Sequence, residues 1–293
     1  MKNKYLIVLL SVSLFFVSSF VSDKKELPKL GIVGGLAQDQ LVYSAGFRAN
    51  GESVKRVLSP SLTDQEFSDK LKEIKAAKCK LVSCNLFFPA DIKIAGPDVN
   101  EQRVLSYADS VLSRAGQADV KVIVLGSGGA RNIPAGYDVE KAKSAFINLG
   151  RKLGTIAEKY KVTIVLENLE TTETTFITSL KAAAEIVRAV NHPNFRLNAD
   201  IFHMMREGES PEEIVAAGNL VGFSEIAEKE KRSLPGVMGD DFRPYLRALK
   251  KIGYKGYIFM EGSIKNPEVE IPQAFKYLSR QVAEVYEGVG SVE

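Results

Sequence analysis

The stretch Val162-Thr-Ile-Val-Leu-Glu167 decides the fold of this chain, because the same arrangement returns downstream as Phe195-Arg-Leu-Asn-Ala-Asp200. Both are short, mainly apolar runs that end in a carboxylate, as buried strands often do. The segment between them, 179–190, has apolar residues at helical spacing. A strand, a helix and a second strand in this order predict a parallel pair.

The same alternation extends over most of the chain. Strands are predicted at eight short apolar runs: 30–33, 53–58, 80–86, 120–125, 162–166, 195–199, 220–226 and 257–260. Amphipathic stretches separate them, at 63–78, 99–114, 139–160, 179–190, 211–217, 241–252 and 271–286. Strict alternation indicates a parallel α/β sheet, and eight units indicate closure into a (β/α)8 TIM barrel, which needs about 250 residues. A doubly wound open sheet is the alternative.

The first 22 residues differ from the rest. Lys2 and Lys4 precede an apolar run at 5–21, and a charged Asp-Lys-Lys-Glu sequence ends it. This pattern predicts a secretory signal peptide at 1–22, a single barrel domain at 23–293, and an exported protein that is periplasmic or secreted. An uncleaved anchor is the alternative, although the run is shorter than the roughly 20 residues that span a bilayer.

Composition excludes several classes of protein. The chain is 45% apolar and 26% charged, as ordinary globular domains are. Without Lys2 and Lys4, 37 basic residues face 36 acidic ones, so neither nucleic acid nor, once the leader is cleaved, a membrane surface is an expected partner. Cys79 and Cys84 lie too far apart along a predicted strand to form a disulfide, and we expect both to be buried.

Four consecutive predicted strands carry an acid at or near their carboxyl ends, where barrels place their chemistry. These acids are Glu167, Asp200, Glu225 and Glu261. Two unit charges 4 Å apart repel by about 4 kcal/mol at an effective dielectric constant near 20, so such a cluster requires a counter-charge. Oxygen ligands alone favour Mg²⁺ or Mn²⁺. The alternative is that one or two of these four acids point away from the cluster and form salt bridges.

Four segments carry a resemblance to a known family: Asn85-Leu-Phe-Phe-Pro89, Val122-Ile-Val-Leu-Gly-Ser-Gly-Gly-Ala-Arg131, Asn198-Ala-Asp-Ile-Phe-His-Met-Met205 and Ile252-Gly-Tyr-Lys-Gly-Tyr-Ile-Phe-Met-Glu261. They resemble the xylose isomerase-like barrels, in the branch of sugar (phosphate) isomerases and epimerases that includes the D-tagatose and D-psicose 3-epimerases. The resemblance covers nearly the whole chain after residue 22, and the Asp-x-x-His motif is its most specific part.

The resemblance implies a role for each candidate residue. Glu167 and Glu261 match metal ligands that are also the two catalytic carboxylates, and Asp200 matches a further ligand. The residues that match substrate contacts are Glu173, His203 and Arg232.

The chain departs from the family pattern at two places. The family has a His-x-His motif on strand seven, where this chain has Phe223 and Glu225. A glutamate there still suits a hard cation and favours Mg²⁺ or Mn²⁺. The family's Glu-Pro-Leu-Asn-Arg on strand five is Glu167-Asn-Leu-Glu-Thr171 here, which adds Glu170 and removes an arginine.

These features predict a metal-dependent sugar isomerase or epimerase. One carboxylate would remove the proton next to the carbonyl of a free keto-sugar, and the other would reprotonate the enediolate. Two alternatives stay open: a lyase or dehydratase that eliminates from a 3-keto-glycoside or inosose, and a non-catalytic exported sugar-binding protein. A zinc-dependent endonuclease is excluded, because the chain has only two histidines. A small carbohydrate is the expected partner, and a homo-oligomer is left open.

Overall fold

The computed structural model of the chain describes residues 26–288. The eight parallel strands in this range pair in chain order, and the last strand pairs with the first. The predicted closed barrel is therefore confirmed, and the open sheet is excluded. The strands are Lys29–Ile32 (β1), Ala49–Ser53 (β2), Lys80–Asn85 (β3), Val122–Leu125 (β4), Thr163–Glu167 (β5), Phe195–Asp200 (β6), Val221–Ile226 (β7) and Tyr257–Met260 (β8).

Helices follow the strands and surround the barrel. Two short 3-10 turns, Leu36–Gln38 and Gly218–Leu220, accompany them. The α-helices of the described residues are Asp39–Ser44 (α1), Val54–Val57 (α2), Asp64–Ala76 (α3), Glu101–Gln117 (α4), Gly128–Arg131 (α5), Val139–Lys159 (α6), Leu180–Val190 (α7), Ile201–Glu207 (α8), Glu212–Ala217 (α9), Arg243–Lys251 (α10) and Pro267–Glu287 (α11).

Helix starts follow from local capping. The hydroxyl of Thr63 accepts a hydrogen bond from the backbone N–H of Glu66 at 3.2 Å, and the Glu66 carboxylate accepts one from the Thr63 N–H at 2.7 Å. This reciprocal capping box satisfies backbone donors that the first turn of α3 leaves free. Ser179 caps α7 in the same way by accepting from the Ala182 N–H. Helices α3 and α7 therefore begin at residues whose side chains cap them.

The second strand was predicted at 53–58, and that prediction is wrong. The strand lies at Ala49–Ser53, and the residues after it form α2. Val54, Val57 and Leu58 are all buried at the i, i+3, i+4 spacing of one helix face, so the apolar run belongs to a helix. The true strand reads Ala-Asn-Gly-Glu-Ser and has no apolar run by which hydrophobicity would identify it.

The core has two layers. The larger layer packs the helices against the outside of the strands. The smaller fills the barrel itself, where the rings of Phe223 and Phe259 lie 5.1 Å apart. Phe223, at a position where the family has histidine, is therefore part of the packing. The inner layer consists of Ala49, Val82, Val124, Val165, Phe223 and Phe259.

Gly31 is the position where this inner layer tolerates no side chain. A Cβ at Gly31 would lie 2.3 Å from the ring of Phe259, which is fully buried. We expect Gly31→Ala to lower the free energy of unfolding by about 1–3 kcal/mol, as overpacked cores do. Chemical denaturation measures this loss, and an unchanged midpoint would show that the ring moves aside freely.

Two further predictions concern the termini and the cysteines. Cys79 and Cys84 are both buried and free, as expected. The predicted signal peptide at 1–22 lies outside the described residues. Within 26–288, no helix is both long enough and apolar enough to cross a bilayer.

Candidate metal and substrate site

The carboxyl ends of the last four strands bring four carboxylates together. Glu167 and Asp200 are the last residues of β5 and β6. Glu225 lies one residue before the end of β7, and Glu261 directly follows β8. One oxygen from each lies within 4.8 Å of the others. The structure therefore assembles all four residues that the sequence suggested as ligands, and their role as ligands stays a prediction.

Burial and mutual repulsion make the ionised cluster unfavourable. Burial raises the pKa of Glu167 well above its ordinary value, and the charges of Asp200 and Glu261 raise it further. Burial likewise raises the pKa of Glu225 well above its ordinary value, with additional repulsion from Glu261 and Glu167. Burial also raises the pKa of Glu261, although the neighbouring Arg232 opposes that rise. The cluster is thus poised to bind positive charge.

Amide side chains fix the orientation of two of these acids. The Asn168 side chain joins β5 to β6, because it accepts from the Asp200 N–H at 3.0 Å and donates to the Asp200 carbonyl at 3.2 Å. Asn198 donates to Oε2 of Glu225 at 2.5 Å. The other oxygen of Glu225, Oε1, is buried and has no hydrogen-bond partner among the described residues. Glu225 therefore keeps one buried oxygen free to accept a further ligand.

His203 lies against the same carboxylates. Asp200 caps the start of α8: its carboxylate accepts a hydrogen bond from the His203 N–H at 3.3 Å, so the imidazole belongs to the first turn of the helix. The Nε2 atom lies 3.6 Å from both Glu167 Oε1 and Asp200 Oδ2. The ring is fully buried, and neither nitrogen has a hydrogen-bond partner within the described chain. An oxygen-rich ligand in the cluster would therefore find a free donor here.

Arg232 also contacts the cluster, from the loop between β7 and α10. Its Nη2 lies 2.5 Å from Glu261 Oε2 and 3.9 Å from Asp200 Oδ2. Its Nη1 lies 3.3 Å from Oε1 of Glu173, on the loop after β5. Although burial lowers the pKa of Arg232, the surrounding carboxylates raise it above its ordinary value. Arg232 therefore joins Glu173 to the site.

A cavity of about 290 Å³ is lined by Glu167, Glu173, Arg232 and Glu261 of these groups. This is near the lower end of the 300–1,000 Å³ found for small-molecule sites, and it suits one small carbohydrate. The lining residues are Asn85, Leu86, Gly126, Ser127, Gly128, Glu167, Leu169, Glu173, Arg232, Glu261, Gly262 and Ser263.

The donor set fits a hard divalent cation. Four carboxylates converge, one buried oxygen of Glu225 is unsatisfied, and burial disfavours the ionised acids unless positive charge is present. Such all-oxygen sets are those of Mg²⁺ and Mn²⁺. A second group adds His203 to Glu167 and Asp200, which offers one nitrogen ligand as an alternative.

Sequence reasoning missed two residues that support the catalytic candidates. Asn85 donates a short hydrogen bond to Oε1 of Glu261. Arg131 is fully buried and donates from Nη1 to the carbonyl oxygen of Glu167 at 2.8 Å and from Nη2 to that of Ile177 at 3.0 Å. Burial lowers the pKa of Arg131 to about 10. Both residues occur in the segments that resemble the family, but the sequence alone did not indicate what either side chain contacts.

Glu170, the added acid of strand five, does not join the cluster. Its Oε2 lies 2.8 Å from Nε of Arg206, and its Oε1 accepts from the Thr172 hydroxyl at 2.6 Å. It stands where the resembling family has asparagine, and it forms an ion pair with Arg206 instead of joining the four acids.

Gly126 sets the space that Glu167 occupies. A Cβ at Gly126 would lie 2.1 Å from Oε2 of Glu167. We expect Gly126→Ala to displace this carboxylate and to lower kcat/KM by about 100-fold, because displacements near 1 Å have that effect. Gly129→Ala, in the same turn, is the matched control, since its Cβ meets only Ala90, at 3.1 Å. Equal activity of the two variants would contradict the prediction.

Comparisons with known proteins agree with this geometry. Residues 40–281 match the family described as xylose isomerase-like TIM barrel. The L-ribulose 3-epimerase of Methylomonas sp. (strain DH-1) is 30% identical over 112 residues, which is 38% of this chain and 39% of that protein. The structure of D-psicose 3-epimerase in the presence of D-fructose has a TM-score of 0.73 at 17% identity, covering 89% of this chain and 100% of that one. The 3-keto-D-glucoside 4-epimerase of E. coli has a TM-score of 0.71 at 18% identity, covering 87% and 98%.

The curated relatives are matched only in part. The chain spans about two-fifths of the L-ribulose 3-epimerase, and 54% of the putative hydroxypyruvate isomerases of mouse and human. The structural likenesses, all below 20% identity, establish the fold. Homologues and structural neighbours are epimerases and isomerases, mostly of carbohydrates. The family match extends over most of the described residues, and the chain belongs to the xylose isomerase-like TIM barrel family.

Proposed function

We propose that this protein is a metal-dependent epimerase or isomerase of a free keto-sugar. The observation that carries the proposal is the convergence of four carboxylates, from β5 to β8, within 4.8 Å of one another. Two of them, Glu167 and Glu261, line a cavity the size of one sugar. The relatives named as L-ribulose and D-psicose 3-epimerases support the substrate class.

Glu167 and Glu261 are the proposed acid and base. They reach the cavity from β5 and β8, so a sugar lying between them would present opposite faces to the two carboxylates. Their surroundings differ: Arg232 and Asn85 donate to Glu261 and stabilise its ionised form, whereas Glu167 lies beside Asp200. One carboxylate can therefore accept the proton next to the carbonyl while the other donates one, and the roles exchange in the reverse reaction.

The remaining residues bind and orient. His203 and Arg232 would donate to sugar oxygens, and Glu173 would accept from a hydroxyl. Glu167, Asp200, Glu225 and Glu261 would hold Mg²⁺ or Mn²⁺, which supplies Lewis acidity that acidifies the C–H next to a carbonyl.

Neither alternative from the sequence is favoured by the relatives, which are named as epimerases and isomerases. Elimination from a 3-keto-glycoside begins with the same proton removal and differs in its product. The test is therefore to incubate the Mn²⁺-loaded protein in D₂O with ketopentoses, ketohexoses and 3-keto-glucosides, and to follow them by NMR. We expect deuterium next to the carbonyl together with a new epimer or isomer. Release of an aglycone would indicate a lyase. If no sugar exchanged hydrogen for deuterium, the proposed enzymatic activity would be refuted.

We also propose that residues 1–22 are a cleaved signal peptide, because two lysines precede an apolar run that ends abruptly in charged residues. Expression of the full chain in a Gram-negative host, followed by mass spectrometry of the periplasmic protein, tests this. A mature N-terminus near residue 23 is expected. Intact Met1 in the soluble cytoplasm would exclude export.

A further inference from the structure

Glu228 is a fully buried carboxylate outside the cluster, three residues beyond Glu225. Both of its oxygens accept hydrogen bonds from the loop that follows β7. Oε1 accepts from the backbone N–H groups of Gly236, Gly239 and Asp240 at 2.7, 2.8 and 3.2 Å. Oε2 accepts from the Ser233 hydroxyl at 3.0 Å and from the Met238 N–H. Five donors from one loop thus converge on a single carboxylate.

The same loop carries Arg232 in an unfavourable backbone conformation. Lys231 and Arg232 have φ angles of +62° and +49°, in the left-handed region that residues with a Cβ avoid. The Arg232 carbonyl accepts from the Ser263 N–H at 2.7 Å. Such a conformation persists only when its surroundings hold it. Here Ser263 contacts Arg232 itself, and the next residue, Ser233, bonds both to Glu228 and to the Glu230 carbonyl.

We infer that Glu228 is a positioning residue: by gathering the backbone N–H groups of the loop 233–240, it holds Lys231 and Arg232 in the conformation that directs the Arg232 guanidinium to Glu261. The inference rests on the proposed function for its catalytic consequence. Its structural part, that the Glu228 carboxylate orders the loop, stands on the hydrogen bonds alone.

The structural part is tested without substrate. Lys229, Lys231 and Arg232 lie in the loop and are trypsin sites, and both lysines are exposed. We expect Glu228→Gln, which replaces an acceptor oxygen by a donor, to be cleaved in this loop faster than wild type under native conditions. Glu228→Asp should be intermediate, because it keeps the charge with a shorter reach. Glu230→Gln, an exposed acid of the same loop, is the matched control and should behave as wild type.

The catalytic part is tested by a double-mutant cycle. We expect Glu228→Gln to lower kcat/KM for the sugar by up to about 100-fold, the effect of misplacing one positioned group. In an Arg232→Ala background the same change should cause little further loss, because its effect passes through Arg232. Combined with Gly126→Ala, which acts through Glu167, the losses should multiply. Ser233→Ala, which removes one donor only, provides a milder variant if Glu228→Gln folds poorly.

The outcomes are distinguishable. Loop cleavage unchanged in both Glu228→Gln and Ser233→Ala would overturn the inference, as would full multiplication of the Glu228→Gln and Arg232→Ala losses. Absence of sugar turnover in the wild-type protein would refute the proposed function instead, and faster loop cleavage in Glu228→Gln would still support the ordering role.

Discussion

Glu261→Gln is expected to abolish epimerisation while leaving hydrogen exchange at one epimer of the sugar. Positioned acids and bases contribute about 10²–10⁴-fold, and kcat should fall by that amount. The epimer whose C–H faces Glu167 should still exchange with D₂O, because Glu167 can remove and return the same proton. Glu167→Gln should show the opposite preference. Each variant is assayed by NMR with excess Mn²⁺, from both epimers.

Glu170→Gln is the control for both variants. Glu170 follows Glu167 by three residues and pairs with Arg206 away from the cavity, so its loss should leave kcat within a few-fold of wild type. Exchange of the same epimer in both site variants would mean that the two carboxylates do not act on opposite faces of the sugar. That result would contradict the two-base assignment while leaving the epimerase itself intact.

Removal of the metal is expected to lower the melting temperature. An ion present at 100 times its dissociation constant stabilises a protein by about 2.7 kcal/mol, which corresponds to about 5–10 °C for a domain of this size. Scanning calorimetry of chelated and Mn²⁺-reloaded protein measures the difference. Equal melting temperatures, with no metal found by elemental analysis, would contradict the metal site.

In the metal-free protein, Glu225→Gln should raise stability at neutral pH. The folded-state pKa of Glu225 is raised well above its ordinary value by burial. A carboxyl whose pKa is raised by folding does not reduce stability below its unfolded-state pKa, near 4.3. Stability is lost as the pH rises through the folded-state pKa, because the buried carboxyl must then ionise. The variant escapes this loss, so its advantage should vanish at acid pH and grow towards pH 8.

The metal reverses this order. With Mn²⁺ present, the Glu225→Gln protein should bind the ion more weakly and should therefore be less stable than wild type. Glu170→Gln is a control whose effect on stability should have the opposite sign. Burial raises the pKa of Glu170, but hydrogen bonds from Thr172 and Arg206 outweigh burial and lower this pKa below its ordinary value. Its carboxylate therefore stabilises the fold above the unfolded pKa, and its loss should destabilise at neutral pH. A metal-free Glu225→Gln protein less stable than wild type at pH 8 would contradict the account.

Much of the barrel could be predicted because its strands alternate with helices of clear period. The second strand could not, because Asn50 and Glu52 within it bond to backbone groups of neighbouring loops instead of packing against apolar side chains. The four acids of the cluster were found because they end strands, and parallel strands deliver their ends to one rim.

The supporting residues were harder to predict, since their roles depend on contacts distant in sequence. Arg131 reaches the backbone of β5 from the turn after β4, and no spacing in the chain indicates that pairing. Glu228 resembles any other charged residue in a polar loop until its five donors are seen. The change from histidine to Glu225 was visible, but its buried partner Asn198 was not.

The guanidinium of Arg232 has a consequence for the binding of the proposed metal. It lies 2.5 Å from Glu261 and 3.9 Å from Asp200, so a permanent positive charge already neutralises part of the acidic cluster. This pairing reduces the repulsion among the acids in the metal-free protein. The proposed cation would compete with the Arg232 side chain for the same oxygens, so its occupancy would depend on how much free metal the surroundings supply.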